Sequence, residues 1–469
     1  MSKTDLKRIS ISGWDDKYPS VPANFRNECR HMRDLKDKER FYLEAPSHYA
    51  SKGDILLNRL KFDPSFAALR LWSFLFSEKD RLFEAKKQGW KIFAAMKDLG
   101  IVPVITYSLP KTLTFYADEL WWAPCFAEDS RLLDIAAKLG ATEELCFVRA
   151  ALGAMKTFDY FPEPDLCIAA VGSCCDDFSA VMQLIEWQGL KVHWWEMPSR
   201  DLPKTGSDHN ITPYGKTRYK KEILSFIAEE LKGVANAASD VAGEKISSAM
   251  LLENMRRFNR IRRLLSSLRE KVYSAERAPL PGLEMFLAEF LPMHGCSDPE
   301  EAENVLVCLH SEVDMRLAKG LSTFSGKPVR IFWATPPTDA SLITILEDCG
   351  GTVCGTEYLI SHSFFNIRTT GDPFLALAEN HLDDPMAGAC GVRVGRILKE
   401  AKKFRAEGVI ISGIFGASHC PFEDRRITDE LRKADLPVLS FDVPFSPGRP
   451  SEQVKNRIES FVEIIKKRR

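Results

Sequence analysis

The chain is expected to be an α/β protein with two Rossmann-like parallel-sheet domains, a helical amino-terminal extension and a helical insertion. Three observations predict this. Short β-branched runs alternate with helix-length segments in two separate regions, the pattern that parallel βαβ units require. The 469 residues exceed what one hydrophobic core usually serves. A stretch of arginine-rich sequence with helical periodicity divides the two alternating regions.

Residues 1–99 read as helical and aromatic, with Phe66–Phe76 and Arg81–Leu99 carrying apolar residues near the helical period. The first α/β domain is expected over 100–213, with strands at Ile101–Tyr107, Leu166–Val171 and Lys191–Trp195 and a helix at Phe178–Gln188. The helical segment is placed at 214–295, where Leu251, Met255, Phe258, Ile261, Leu265 and Leu268 share one face. The second α/β domain, 296–469, has strands starting at Val329, Thr352, Gly408 and Pro437. Its helices are read at Gly391–Glu407, Arg426–Lys433 and the amphipathic Glu452–Lys467.

Apolar residues at 45% and charged residues at 28% are proportions of a folded globular chain. With 64 basic and 65 acidic side chains there is no overall field to draw nucleic acid or an acidic membrane. No run approaches the length of an apolar membrane span, and no apolar segment follows the charged first residues, so a cytoplasmic location is expected. Twelve cysteines in such a chain point away from a disulfide framework, because the cytosol keeps thiols reduced.

Open parallel sheets hold ligands beyond the carboxyl ends of their strands. Cys174 and Cys175 follow the Leu166 strand and precede a helix, and Cys420 follows the Val409 strand within Ser418-His419-Cys420-Pro421. A helix amino terminus lowers a thiol's pKa and favours the thiolate that a metal requires. Cys146 lies ahead of the strand that delivers Cys174 and Cys175. Buried cysteine also behaves as a small hydrophobe. Core packing is the reading for Cys167 in a strand, Cys308 in a helical run, and Cys349 and Cys354 around a turn; Cys29 and Cys125 stay undecided. Cys296 and Cys390 look loop-like and stand as reserve ligands. There is no CxxC, ferredoxin run or zinc pattern. P-loop, dinucleotide fingerprint, nucleophile elbow and H-E-x-x-H are missing too. His193, in an apolar strand, reads as a core histidine, whereas His419 beside Cys420 is the candidate for proton transfer or for hydrogen bonding to the site.

The order Gly140-x5-Cys146-Phe147-x-Arg149, Pro164-Asp165-Leu166 and Ser173-Cys174-Cys175-Asp176 resembles the amino-terminal half of the family of 2-hydroxyacyl-CoA dehydratases and ATP-dependent benzoyl-CoA reductases. Gly371-Asp372-Pro373, Gly408-Val409-Ile410-Ile411, Cys420-Pro421, the Leu436–Leu439 strand into Asp442, and Gln453-x3-Arg457-Ile458-x2-Phe461-x-Glu463 continue the likeness, from about Gly100 to the end. The resemblance implies a [4Fe-4S] cluster between two domains without a nucleotide site. Its three cysteine ligands carry over to Cys146, Cys175 and Cys420, with Cys174 as alternative to Cys175, and one iron position stays open to water or substrate. It also implies single-electron chemistry on an acyl-CoA thioester, either dehydration through a ketyl radical (a lyase) or aromatic ring reduction (an oxidoreductase). The implied partners are a related second subunit or a second copy of the chain, and a separate ATP-hydrolysing iron–sulfur activator. The amino-terminal extension is closer to the larger subunit of the benzoyl-CoA reductases. Cys174, Cys296 and Cys390 keep open a double-cubane [8Fe-9S] cluster reducing small molecules. A non-catalytic electron-relay or scaffold subunit, and a cluster-free binding protein, are the other readings.

Overall fold

In the computed structural model, residues 61–118, 130–200, 210–324, 326–335, 339–417, 420–443 and 452–469 are described. Ser65 caps α1 (Phe66–Phe76) by accepting from the Ala68 amide at 3.3 Å. Helix α2 (Glu78–Lys87) carries Glu78 and Asp80 in its first turn and Lys86 and Lys87 in its last, the polarity that the helix dipole favours. Then comes β1 (Lys91–Met96), not the continuous helix expected over Arg81–Leu99. Gly89 takes a φ of +80°, which ends the helix, and β1 is apolar on both faces because it lies inside its sheet. An unbroken apolar run does not separate a buried strand from a buried helix.

The expected strand Ile101–Tyr107 is α3 (Val102–Thr106), with Pro103 in its first turn. The Asp98 carboxylate accepts the Gly100 and Val102 amides and so starts the helix, overriding the β-branched composition. The strand beside β1 is instead β2 (Thr112–Tyr116). After α4 (Arg131–Lys138), the 3-10 turn Phe147–Arg149 and α5 (Ala150–Thr157) come β3 (Leu166–Gly172), α6 (Asp176–Trp187) and β4 (Val192–Met197). These strands form a parallel sheet in the order β2-β1-β3-β4. Its first strand starts at Lys91, ahead of residue 100.

A short antiparallel pair, β5 (Asn210–Ile211) and β6 (Arg218–Tyr219), leads into α7 (Lys221–Ala242), α8 (Ser248–Ser274), α9 (Gly282–His294) and α10 (Pro299–Ala318). The helical layer thus continues past residue 295. The second sheet uses β7 (Val329–Ala334), α11 (Ser341–Asp348), β8 (Gly351–Thr356), α12 (Pro373–Asp383), α13 (Cys390–Lys403), β9 (Gly408–Ile414), α14 (Cys420–Lys433), β10 (Val438–Val443) and α15 (Glu452–Arg468). It is parallel, in the order β10-β9-β7-β8. Both α/β units match the expected class.

Helix α8 joins the two cores. Leu251, Met255 and Phe258 in its first half pack with the first sheet and α7, whereas Ile261, Leu265 and Leu268 further along pack with α1, α9, α10 and the second sheet. At 27 residues it spans about 40 Å. That length carries one rigid element across both domains. The expected helical extension before residue 61 lies outside the described residues.

Glu284 on α9 is fully buried, and its Oε1 accepts from the Asp63 amide at 2.9 Å and the Trp72 indole at 3.2 Å. Burial, reinforced by the Asp63 charge, pushes its carboxyl up to about 8. The folded state therefore keeps a proton that the unfolded chain releases near the ordinary carboxylate pKa, and stability falls as pH rises between these values. Glu284→Gln is expected to flatten this decline; urea midpoints measured across that window check it, and an unchanged pH slope would contradict it.

Candidate functional site

The carboxyl end of β3 is shaped by its last residues. Gly172 takes a φ of +101°, and a Cβ there would collide with the backbone carbonyl of Met197 at the end of β4. Ser173 bonds the same carbonyl twice, through its amide at 2.6 Å and its hydroxyl at 2.8 Å. The turn is therefore tied to the neighbouring strand before the two cysteines. Cys174 then takes a left-handed φ of +71°, and Cys175 occupies the amino-terminal cap of α6 in extended conformation.

This sends the two thiols to different surroundings. Cys174 Sγ lies 3.6 Å from the Met386 carbonyl and packs with the core formed by α7 and α12. Cys175 is 3% exposed and heads α6, where the helix dipole favours a thiolate. Lys97, just after β1, reaches the turn from below: its ammonium donates to Ser179 Oγ at 3.1 Å and to the Gly172 carbonyl at 3.4 Å, with Asp176 Oδ1 3.8 Å away. Burial lowers its pKa, and Cys174, Asp176 and Cys175 resist that shift.

Cys146 is buried and directly precedes the 3-10 turn Phe147–Arg149, in an apolar core shared with Ile414 and Ala417 from the end of β9. Arg149 donates to the Leu145 carbonyl and so braces the same turn. Gly416 brings the two domains together here. It has a φ of +80°, and a Cβ at that position would stand 2.8 Å from the Glu143 carbonyl oxygen and 3.3 Å from that of Leu145. The loop that leads to Cys420 thus lies backbone to backbone against the residues before Cys146.

Cys420 opens α14, as expected of a strand-end residue, though its side chain lies outside the described residues, together with Ser418 and His419. The first turn of α14 is held by Arg393 of α13. That guanidinium bonds both Glu357 oxygens, at 2.7 and 2.9 Å, and also pairs with Glu423. Among the described residues no group of three or more His, Cys, Asp or Glu is arranged to hold a metal ion. Of the three cysteines, Cys175 and Cys420 each head a helix, and Cys146 follows residues that lie against the loop leading to Cys420.

The reserve residues have other employment. Cys296 is not in an open loop but in the buried 3-10 turn Gly295–Ser297, where its thiol donates to the Thr114 carbonyl at 3.1 Å. Cys390 begins α13 and lies 4.0 Å from the Glu423 carbonyl. Cys354 packs in the core within β8, the strand expected from Thr352, and burial pushes its thiol, like that of Cys167 in β3, up to about 12. Cys308 lies in α10 and Cys349 ends α11. His193 is half-buried in β4, and burial lowers its pKa. Cys29 and Cys125 lie outside the described residues.

Sequence reasoning missed Lys97, Asp98 and Asp118, which follow β1 and β2. The strand-end rule finds all three once those strands are recognised. No helix among the described residues is long and apolar enough to cross a membrane. A family profile described as 2-hydroxyglutaryl-CoA dehydratase, D-component, matches residues 90–465. No curated protein matches the chain. The family match begins at β1, ten residues before the likeness noted in the sequence, and takes in both sheets and the helical layer between them. On that extent the chain belongs to the 2-hydroxyglutaryl-CoA dehydratase, D-component family and is a dehydratase-type subunit.

Proposed function

We propose that this subunit holds a [4Fe-4S] cluster on Cys146, Cys175 and Cys420 and acts on a 2-hydroxyacyl-CoA thioester by low-potential single-electron chemistry. The observation that carries the reading is the close approach of Gly416 to Glu143 and Leu145, which sets the loop before Cys420 against the turn that bears Cys146. When bound, the cluster supplies one electron at low potential and an iron position not taken by cysteine. The chain's own residues do the rest. Ser173 and Lys97 fix the turn at Cys175, Arg393 fixes the first turn of α14, and the apolar core around Cys146 keeps water from that side.

Cys175 is preferred over Cys174 because the Cys174 thiol faces the Met386 carbonyl. The bond from Cys296 to Thr114 favours a single cubane over the double-cubane [8Fe-9S] alternative. The family favours dehydration over the ring reduction of the benzoyl-CoA reductases. A component of a larger enzyme needs a related partner subunit. The sequence carries no P-loop, which supports placing ATP hydrolysis on a separate iron–sulfur activator.

Adding a 2-hydroxyacyl-CoA to the reduced, anaerobically prepared enzyme is expected to change the EPR signal of the cluster. An unchanged signal at saturating thioester would sink the substrate assignment and favour an electron-relay subunit. Gly416→Val tests the domain contact: the branched side chain meets the Glu143 and Leu145 backbone, so iron content should fall while the circular dichroism of both sheets persists. Full iron content in this variant would contradict that role.

A further inference from the structure

Beside the cysteine turn lies a group of ionisable side chains that the cysteines do not use. Asp98 and Asp118 stand at the carboxyl ends of β1 and β2 in the first sheet. His362 lies on the 3-10 turn Leu359–Ser363 after β8 of the second, and Asp384 caps the 3-10 turn Pro385–Ala387. The sheets meet here, since a Cβ on Gly100 would be 3.3 Å from the His362 Cβ. Asp384 holds His362 Nδ1 at 2.8 Å through one oxygen and accepts the Met386 amide at 2.8 Å through the other. The Met386 carbonyl in turn faces the thiol of Cys174, the residue before Cys175.

Other charged groups around His362 are accounted for. Arg262 of α8 is buried, donates to Asn380 and to the Phe365 carbonyl, and sets a positive charge toward Asp384 and Tyr116. Arg393 and Arg396 of α13 stack on Tyr358 and Phe364, and Glu289 of α9 is paired with Arg269. Asp118 is different. It is 9% exposed, and its Oδ1 has no hydrogen-bond partner among the described residues. A buried carboxylate oxygen left unmatched is costly, so this position suits an incoming donor. Burial, helped by the Asp98 charge, raises Asp118 to about 7. Burial alone would lower His362, but Asp384, Asp98 and Asp118 outweigh it and raise the imidazole above its ordinary value.

We propose that His362, oriented by Asp384 and facing Asp98 and Asp118, is the acid–base group that moves the substrate protons. This rests on the reading of the site as a 2-hydroxyacyl thioester dehydratase. In that reaction the C2–O and C3–H bonds break and a C2=C3 double bond forms, with no net consumption of electrons. The imidazolium gives its proton to the departing hydroxyl, which leaves as water with the C–O electron pair. The neutral imidazole then takes the proton from C3, whose bonding pair becomes the double bond, and the histidine ends as it began.

The test uses His362→Gln and Asp384→Asn in the assembled enzyme. His362→Gln should keep its iron and its affinity for a non-reacting acyl-CoA, and lose turnover by about 100-fold or more with a flattened pH profile. Asp384→Asn should shift the histidine-dependent limb to lower pH. Turnover within a few-fold of the parent and an unaltered pH profile in His362→Gln would overturn the proposal, as would loss of iron. NMR of histidine-labelled protein gives a reading that does not depend on the cluster. One imidazole should titrate above the ordinary histidine range, vanish in His362→Gln and move down in Asp384→Asn. If the parent carries no iron, the dehydratase reading fails while this signal still supports the pair; its absence from the parent would overturn the pair.

Discussion

Cys175→Ser is expected to abolish cluster retention and to reduce turnover by more than about 100-fold, since altering outer partners alone reaches that scale at metal sites. The cysteine heads α6 on a turn fixed by Ser173, Gly172 and Lys97, so serine keeps the fold but replaces a thiolate donor with a hydroxyl. Cys174→Ser is the internal control. Its thiol faces the Met386 carbonyl, an acceptor that a hydroxyl also satisfies, so this variant should keep iron. Iron analysis and EPR on both proteins, with circular dichroism to show folding, decide the matter. Retention in Cys175→Ser and loss in Cys174→Ser would move the ligand by one residue.

The second large effect is expected at Arg393. Its guanidinium and the Glu357 carboxylate are each about 1% exposed and share two hydrogen bonds. Arg393→Met leaves Glu357 charged and unmatched in the interior, which costs about 3–5 kcal/mol. Because the same guanidinium also holds Glu423, the change should loosen the start of α14 and lower iron content as well. Arg393→Lys should not rescue, since an ammonium cannot make the paired bonds to Glu357. Replacing both partners, as in Arg393→Met with Glu357→Leu, should recover part of the stability but not the hold on α14. Urea midpoints of the three variants check the ordering; a loss below about 1 kcal/mol for Arg393→Met, the scale of exposed pairs, would contradict the account.

Much of this architecture was legible in the sequence, for a physical reason. Strands β3, β4 and β7–β10 are short apolar runs separated by helix-length segments, and only parallel crossovers join such elements economically. The shared face of α8 was equally plain, because six apolar residues recur at helical spacing. What failed was local. β1 is buried on both sides and lacks alternation, and α3 is β-branched yet starts on the Asp98 carboxylate, a contact between residues whose helical role the composition conceals.

The candidate site divides in the same way. Cys175 and Cys420 stand where the strand-end rule puts them, because each follows a strand and heads a helix. Cys354 packs in the core within β8, as the sequence led one to expect, whereas the loop-like reading of Cys296 failed because its hydrogen bond to Thr114 is a fact of three-dimensional packing. The His362–Asp384 pair joins residues that share no motif and sit on separate 3-10 turns, so spacing carries no trace of it. His419, the proton-transfer candidate in the sequence, lies outside the described residues.

Everything proposed for the chemistry depends on sulfur from both domains binding one inorganic group. The most direct measurement is iron and acid-labile sulfide per chain in protein purified without oxygen, for the parent and for Cys146→Ser, Cys175→Ser and Cys420→Ser. About four of each are expected in the parent, with marked loss in every variant. A parent that stays iron-free after anaerobic reconstitution, or three variants that all retain its iron, would contradict the account.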